Sequence, residues 1–241
     1  MSISTAKYID VVIPVYNEGE NITHVLAAFE REVQTPIRIL VCYDHDEDNT
    51  LNVLDNIHSH FEIVRVKNKG RFAHGAVMTG FKYSDAPAVI SYMADDDYNA
   101  GLIDKMADLF WQGNDVVCAS RFIPGGSMIG CPWIKAFLVR TASFSLYHLA
   151  RLPSHDATNA FRLFSRRLLN EVKIESTEGF TYSLELLAKG HRLGLRVIEL
   201  PAQWVERSKG VSRFQVFKWA KSYLIWYFYI FETTYFHQRN V

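Results

Sequence analysis

The 241-residue chain lacks the features that mark several classes of protein. No run of 18 uncharged apolar residues occurs, so we expect no membrane-spanning helix. Met1–Asp10 has no apolar core, which argues against a secretory signal peptide. Cysteine is scarce: Cys42, Cys118 and Cys131 are odd in number and show no metal-ligand spacing. Because Cys42 and Cys118 lie in apolar strand-like runs, we expect buried free thiols in a reducing compartment.

Internal repeats, low-complexity segments and linkers are also missing from the sequence. A length of 241 residues with 49% apolar residues fits one large α/β domain. We therefore expect residues 1–214 to form a single domain and residues 215–241 to form an aromatic C-terminal helix. The 22% of charged residues fit an ordinary surface with zero formal net charge, and no nucleic-acid partner is expected.

The zero net charge hides an asymmetry between the two halves of the chain. Residues 1–120 carry nine Lys and Arg against eighteen Asp and Glu, and residues 121–241 carry seventeen against eight. An acidic half needs a cation, and a basic half offers guanidinium and ammonium groups to an anion. One interpretation is that the halves together hold an anion bridged by a metal ion. The other is chance together with the mutual attraction of the halves.

Three consecutive carboxylates, Asp95, Asp96 and Asp97, follow the apolar strand-like run at 89–92. Adjacent carboxylates repel one another, so a folded protein spreads them into water or gathers them on a cation. In an α/β sheet the carboxyl ends of the strands are the edge that binds ligands. Oxygen ligands on a tight turn suit Mg²⁺ or Mn²⁺. The alternative is a solvated acidic loop.

Strand-like and helix-like patterns alternate along the chain. This alternation predicts a mostly parallel sheet with right-handed connections between its strands and with helices on both faces. The acidic loops after the first, second and fourth strands then share one edge of the sheet. We expect flexible or basic loops at 122–127 and 206–213. The expected strands lie at 8–14, 37–43, 61–67, 89–92, 115–121, 160–164 and 196–201, and the expected helices begin at Asn21 (about a dozen residues) and span 50–58, 73–83, 101–111, 133–150, 166–172 and 179–190.

Eight stretches between Val11 and about Phe214 resemble, in their order, the motifs of the family 2 glycosyltransferases. Each stretch alone is a weak signal, whereas the ordered set is specific. The later stretches are most similar to the dolichyl-phosphate mannosyltransferase branch, which loads a sugar onto a polyprenyl phosphate. The stretches are Val12–Glu18; Asp44 with Asp48 and Thr50; Asn68, Gly70, Ala76 and Gly80; the Asp95 turn; Ser120–Phe122 with Gly125 and Gly126; Asp156–Arg162; Gly179–Glu185; and Glu206 and Arg207 with Gly210, Ser212 and Arg213.

The resemblance implies the glycosyltransferase A fold, a Rossmann-like sheet that binds nucleotide sugars. The family has three metal-side positions on its carboxylate turn, and these fall on Met93, Asp95 and Asp97. The first carboxylate is therefore absent here, and a thioether is a poor ligand for Mg²⁺. We expect Asp95 and Asp97 to hold Mg²⁺ or Mn²⁺. Tyr43 likewise replaces the first acidic residue of the loop after the second strand.

The nucleotide-binding residues implied by the resemblance are Pro14, Tyr16, Glu18, Asp44 and Asp95. Pro14 and Tyr16 would form one side of the site that binds the base. The carboxylate of Glu18 would bind hydroxyl groups of the nucleoside or the base. Asp44 accepts hydrogen bonds from N–H groups of the base. In the structural alternative, Pro14 only ends a strand and Tyr16 only fills a gap.

The expected phosphate-binding residues are Arg121, Arg207, Ser212 and Arg213, since a guanidinium binds phosphate oxygens with two hydrogen bonds. Their ligand is either the diphosphate of the donor or the phosphate of the acceptor. The alternative for each arginine is an exposed, solubilising side chain. Arg121 is also a catalytic candidate, because neutralising the departing nucleoside diphosphate is the main requirement of glycosyl transfer.

Glu185 and Asp156 are the candidates for a general base, which a hydroxyl acceptor needs and an anionic phosphate acceptor does not. For Glu185, a structural carboxylate paired to an arginine fits the sequence equally well. The preferred hypothesis is that the protein is an inverting, metal-dependent transferase that uses a nucleotide-diphosphate sugar and a lipid-linked acceptor. The rivals are transfer to a saccharide hydroxyl in cell-surface polysaccharide assembly and a non-catalytic nucleotide-sugar-binding protein.

The C-terminal segment at 217–236 holds a ten-residue aromatic and aliphatic run, too wide for one helix face and too short to cross a bilayer. Tryptophan and tyrosine with basic neighbours are typical of a helix in the headgroup region. We expect membrane contact here, with 133–150 as a second contact, and a cytoplasmic enzyme peripheral to the inner face of a membrane. The alternative is packing on the domain or on a second subunit of a homo-oligomer.

Overall fold

The computed structural model describes residues 8–206 and 216–236, with side chains in the second range described from residue 219 onward. The chain divides into two compact units, Met1–Asp108 and Leu109–Val241, called unit 1 and unit 2 below. Seven strands form a mostly parallel main sheet with helices around it, so the α/β prediction is confirmed. The division into one domain at 1–214 and a C-terminal segment at 215–241 stays a prediction.

Unit 1 contributes four parallel strands in the order β3-β2-β1-β4. Their near-continuous apolar runs suit strands that are buried on both faces. In the register of β1 with β2, Val11 lies beside Ile39. The elements are β1 (Ile9–Pro14), α1 (Gly19–Glu32), β2 (Ile37–Tyr43), α2 (Asn49–Leu54), β3 (Glu62–Lys67), α3 (Phe72–Tyr83), β4 (Ala88–Ser91) and α4 (Leu102–Trp111).

Unit 2 is arranged around β5, which pairs with β7 in antiparallel and with β8 in parallel orientation. A separate two-stranded parallel sheet joins β6 and β9. None of the helices in the described ranges has the length and apolar content needed to cross a membrane. The elements are β5 (Val116–Ser120), β6 (Ser127–Ile129), α5 (Trp133–His148), β7 (Arg162–Ser165), α6 (Arg166–Glu171), α7 (Thr181–Arg192), β8 (Val197–Pro201), β9 (Gln203–Val205) and α8 (Val216–Tyr235).

Three local predictions need correction. Helix α1 begins at Gly19, two residues before Asn21, whose side-chain amide donates to Glu18 Oε2 at 2.6 Å instead of capping the helix. Helix α2 ends at Leu54 and not at residue 58. The expected loop at 122–127 ends in strand β6, because Ser127 pairs with Gln203, 76 residues further along the chain.

The thiols of Cys42 and Cys118 are buried and free, as expected. Burial raises the pKa of Cys42 to about 12 and that of Cys118 to about 11. Both thiols are therefore protonated and unreactive near neutral pH. Cys131 is also free but is partly exposed.

Helix α3 approaches strands β1 and β2 closely at Gly80. A Cβ atom added at Gly80 would lie 2.5 Å from Val12 Cγ1 and 3.0 Å from Cys42 Sγ. Glycine is therefore required here for space, because any side chain would push the helix away from the sheet.

Gly80→Ala is expected to lower the free energy of unfolding by about 1–3 kcal/mol, because the new methyl group overpacks a fully buried contact. Urea unfolding measures the change. Gly101→Ala is the matched control, since the nearest atom there is at the end of a side chain, the carboxylate oxygen of Glu32 at 3.3 Å. Equal stability of the two variants would contradict the close packing described for α3.

Candidate functional site

The loop after β1 is fixed by the loop after β2. The fully buried carboxylate of Asp48 accepts the backbone N–H of Asn17 at 3.0 Å and that of Thr50 at 2.9 Å. The hydroxyl of Thr50 in turn accepts the N–H of Glu18 at 3.0 Å. These contacts hold Asn17 in a left-handed conformation, with φ of 55°. Asp48 and Thr50 therefore shape the loop that carries the predicted nucleotide-binding residues Tyr16 and Glu18.

Asp44 lies beyond the end of β2 and is bound to the loop that follows β3. Its Oδ1 accepts the side-chain amide of Asn68 at 2.6 Å, and its Oδ2 accepts the backbone N–H of Phe72 at 3.1 Å. Each carboxylate oxygen can accept a further hydrogen bond. The carboxyl ends of parallel strands share one edge, so Asp44 lies at the edge where a base is expected.

The other predicted nucleotide-binding residues of unit 1 lie at the end of β1 and in the loop after it, at the same edge. Pro14 is the last residue of β1, and the ring of Tyr16 is 41% exposed beside the ring of His45, with centroids 5.2 Å apart. The side chain of Glu18 accepts the amide of Asn21. An exposed aromatic side chain and a carboxylate therefore occupy this loop, and their roles toward a nucleotide stay predictions.

The three consecutive carboxylates divide into two kinds. Asp96 Oδ1 accepts the backbone N–H groups of Tyr98 and Asn99, both at 3.2 Å, and the side-chain amide of Asn99 donates to both Asp96 oxygens at 2.8 Å. Burial raises the pKa of Asp96 to about 6 despite these bonds. Asp96 is thus the carboxylate that holds the turn together.

Asp95 and Asp97 are the two carboxylates that could hold a metal ion. Both are partly exposed and flank Asp96, and no described residue donates a hydrogen bond to Asp97. The described parts of the chain contain no group of three His, Cys, Asp or Glu placed to bind a metal ion by themselves. Two hard oxygen ligands fit Mg²⁺ or Mn²⁺ that takes its other ligands from phosphate and water. Met93, also partly exposed, adds no hard ligand.

Arg121 and Asp156 form a buried ion pair in unit 2. Arg121 Nε and Nη2 donate to the two Asp156 oxygens at 2.6 and 2.7 Å, and the Arg121 backbone N–H adds a third bond at 2.9 Å. Nη2 also donates to Thr158 Oγ1 at 2.7 Å. Burial alone would raise the pKa of Asp156, but Arg121 outweighs it and the pKa lies below its ordinary value. Asp156 is therefore an ionised partner of Arg121.

A second buried guanidinium, that of Arg162, supports the Asp156 loop. Its Nη2 donates to the Asp156 carbonyl at 2.7 Å and its Nη1 to the Ser183 carbonyl at 2.6 Å. Nε of Arg162 has no hydrogen-bond partner among the described atoms. Burial raises the pKa of Tyr223 to about 12, while the positive charges of Arg162 and Arg121 oppose the rise.

Glu185 lies fully buried on α7. Its Oε1 accepts the backbone N–H of Glu175 and the ammonium of Lys189, both at 2.7 Å, and its Oε2 accepts the N–H of Ser176 at 2.8 Å. These are the contacts of a structural carboxylate, and the partner is a lysine where the sequence suggested an arginine. A role as general base stays a prediction.

Arg207, Ser212 and Arg213 lie outside the described residues, and so does most of the expected basic loop. Within the described ranges, sequence reasoning missed Asn68 and Arg162 as supports of Asp44 and Asp156. An arginine inside the strand Arg162–Ser165 was the available signal, because a charge in an apolar strand needs buried partners.

The mostly parallel sheet, together with the similar solved structure and the family match given next, shows the glycosyltransferase A fold. The model of the family described as Glycosyl transferase family 2 matches residues 10–173. The chain belongs to this family, which confirms the resemblance found in the sequence.

The alignments with two relatives each cover more than four-fifths of this chain. Polyprenol monophosphomannose synthase of Mycolicibacterium smegmatis is 24% identical over 212 residues, covering 84% of this chain and 79% of that protein. Dolichol-phosphate mannosyltransferase of Pyrococcus furiosus is 25% identical over 213 residues, covering 85% of this chain. The chain spans only 58% of the Pyrococcus protein's length.

The structure of glucosyl-3-phosphoglycerate synthase from Mycobacterium tuberculosis in complex with Mn²⁺, UDP and glucosyl-3-phosphoglycerate is similar in fold. It superposes with a TM-score of 0.67 at 16% identity, covering 93% of this chain and 80% of that one. At this identity the likeness shows the fold alone.

Asp156→Asn is expected to lower the free energy of unfolding by about 3–5 kcal/mol, because it leaves the buried Arg121 charge without its counter-charge. Urea unfolding at neutral pH is the measurement. Glu171→Gln serves as control, since it breaks the exposed Arg167–Glu171 pair and should change stability little. A similar small effect of both variants would contradict a desolvated Arg121–Asp156 pair.

Proposed function

We propose that the protein is an inverting glycosyltransferase that moves a sugar from a nucleotide-diphosphate donor to a lipid-linked acceptor, a polyprenyl phosphate. The chain belongs to a glycosyltransferase family. Two of its relatives are named polyprenol monophosphomannose synthase and dolichol-phosphate mannosyltransferase. The acceptor, the stereochemistry and the metal dependence are the proposed parts.

Unit 1 is proposed to bind the donor. Asp44 accepts hydrogen bonds from the base, Tyr16 and Pro14 line its side, and Glu18 binds hydroxyls. Asp95 and Asp97 would hold Mg²⁺ or Mn²⁺, with Asp96 fixing the turn between them. The ion supplies Lewis-acid stabilisation of the departing diphosphate. The structural neighbour with bound Mn²⁺ and UDP supports this assignment by analogy.

Unit 2 is proposed to bind the acceptor phosphate, through Arg121 and through Arg207, Ser212 and Arg213. Asp156 accepts from Nε and Nη2 of Arg121, which leaves Nη1 to donate to a phosphate oxygen. A phosphate monoester is already anionic at neutral pH and attacks the sugar without a general base. The contacts of Glu185 agree with this, because both of its oxygens bind the 175–176 backbone.

The observation that carries a lipid acceptor is the exposed apolar surface of α5 and α8, called the apolar face below. The helices are joined by a hydrogen bond between Ser145 Oγ and Tyr227 OH at 2.8 Å, and Thr234 Oγ1 on α8 donates to the carbonyl of Ala150, just beyond the end of α5, at 2.8 Å. Their exposed large side chains recur at helical spacing on one side of each helix. These are Trp133, Ile134, Phe137, Leu138 and Phe144 on α5, and Leu224, Ile225, Phe228 and Tyr235 on α8.

The charge of α5 also suits an anionic lipid surface. The helix has no Asp or Glu and carries Lys135, Arg140 and His148. An apolar face with basic and tryptophan neighbours lies in the headgroup region of a bilayer. We therefore place the protein at the inner face of a membrane, where nucleotide sugars and lipid phosphates meet.

The acceptor is tested with purified full chain, Mn²⁺, and labelled UDP, GDP, CDP and dTDP sugars. Label is expected in polyprenyl phosphate held in vesicles and not in soluble oligosaccharides. Glu185→Gln is expected to retain most of this transfer, because the carboxylate has a structural role, with a lower melting temperature as its main effect. Label in soluble oligosaccharides that Glu185→Gln abolishes, with unchanged melting, would favour a hydroxyl acceptor. Donor binding without transfer to any acceptor would favour a non-catalytic protein.

Asp95→Asn and Asp97→Asn are each expected to weaken binding of the nucleoside diphosphate about tenfold or more when Mn²⁺ is present, since each removes a charged metal ligand. Without metal, their binding should match that of the unmodified chain. Isothermal titration calorimetry with and without Mn²⁺ makes the comparison. Asp108→Asn, on α4, is the control. Equal weakening without metal would remove both residues from a metal-binding role.

A further inference from the structure

Phe72 adopts a backbone conformation that is unfavourable for its side chain. Its φ is 59°, in the left-handed region that bulky residues rarely occupy. Its side chain is also 73% exposed, so the ring is not buried in the core. Glycine would relieve the backbone and remove the exposed apolar ring. A residue that is unfavourable in both respects is a candidate for a functional role.

Hydrogen bonds on both sides hold the Phe72 backbone in this conformation. Its N–H donates to Asp44 Oδ2 at 3.1 Å, and its carbonyl accepts the Asn68 amide at 3.3 Å. The same Asn68 amide donates to Asp44 Oδ1 at 2.6 Å, and Asn68 Oδ1 accepts the N–H of Gly70 at 2.7 Å. Phe72 is therefore attached directly to the carboxylate assigned to the base.

The position of Phe72 suits contact with a flat ligand. It follows β3 at the carboxyl edge of unit 1, the edge that also carries Tyr16 and Asp44. An aromatic ring stacks on any nucleobase because every base has a π-face. Its attachment to Asp44 would set a stacked base at a fixed distance from the acceptor of its N–H groups.

We propose that Phe72 stacks on the nucleobase of the donor while Asp44 accepts hydrogen bonds from the base edge. The proposal rests on the proposed function, since it assigns a further residue to the same donor site. It explains why the chain keeps a large side chain where its backbone favours glycine. Phe72 thereby contributes affinity for the nucleoside and not for the diphosphate.

Three substitutions at Phe72 distinguish the effect of the aromatic ring from the effect of the backbone conformation. Phe72→Tyr keeps the ring, Phe72→Leu removes the ring and keeps the unfavourable φ, and Phe72→Gly removes both. Calorimetry with UDP, GDP, CDP, dTDP and inorganic pyrophosphate, all with Mn²⁺, measures binding. The leucine and glycine variants should bind the preferred nucleotide about tenfold more weakly, and the tyrosine variant within about twofold of the unmodified chain. Pyrophosphate, which has no base, should bind all variants equally.

Thermal unfolding supplies a readout of the strain. Phe72→Gly should melt at a higher temperature than Phe72→Leu, so that the more stable variant is also a weak binder. Tyr83→Leu is the matched control, because Tyr83 is an aromatic residue 51% exposed at the other end of α3. It should leave nucleotide binding unchanged.

Two results would overturn the role of Phe72 alone. One is nucleotide binding by Phe72→Leu and Phe72→Gly equal to that of the unmodified chain. The other is a parallel loss of pyrophosphate binding, which would indicate a collapsed loop. If the unmodified chain binds none of the four nucleotides, the proposed function fails together with the role of Phe72.

Discussion

The loops of unit 1 depend on carboxylates that accept backbone N–H groups beyond the ends of apolar strands. Asp48 holds the loop after β1, Asp44 holds the loop after β3, and Asp96 holds its own turn. Asp48 is fully buried and Asp44 and Asp96 are partly buried, so each must be satisfied by donors, and backbone N–H groups at strand ends are the donors available there. Part of the acidity of this half is therefore structural. Asp95 and Asp97 are the carboxylates of the turn that are proposed to hold a cation.

Unit 2 also removes charge from water, in the ion pairs around Arg121 and Glu185. Arg121 is fixed by Asp156, whose loop is supported by Arg162, and Glu185 joins Lys189 to the 173–176 segment. Such pairs are specific in geometry because a misplaced partner leaves a buried charge unsatisfied. They hold Arg121 rigidly with one side of its guanidinium engaged. A rigid arginine is suited to bind phosphate, since it loses little freedom when the ligand arrives.

Strands β1, β2 and β5 and the family could be predicted because their signals are local: apolar runs, and motifs in a fixed order. The sequence could not separate Asp96 from Asp95 and Asp97, since three identical side chains differ only in how the turn folds. Strand β6 was missed because its pairing with β9 depends on a residue far along the chain. The lysine partner of Glu185 lies one helical turn away, yet burial of the pair depends on the 173–176 segment, which no periodicity reveals.

The ammonium group of Lys189 touches three parts of unit 2 at once. It donates to the Lys173 carbonyl at 2.8 Å, it binds Glu185 on its own helix, and it lies 5.1 Å from the centre of the Trp226 ring on α8. Any ligand that shifts α8 thus acts on the same cation that orders the 173–176 segment. Thermodynamic linkage makes such an influence mutual. If contact of α8 with lipid strengthens the binding of an acceptor through this cation, the acceptor must strengthen the protein's affinity for the bilayer by the same factor.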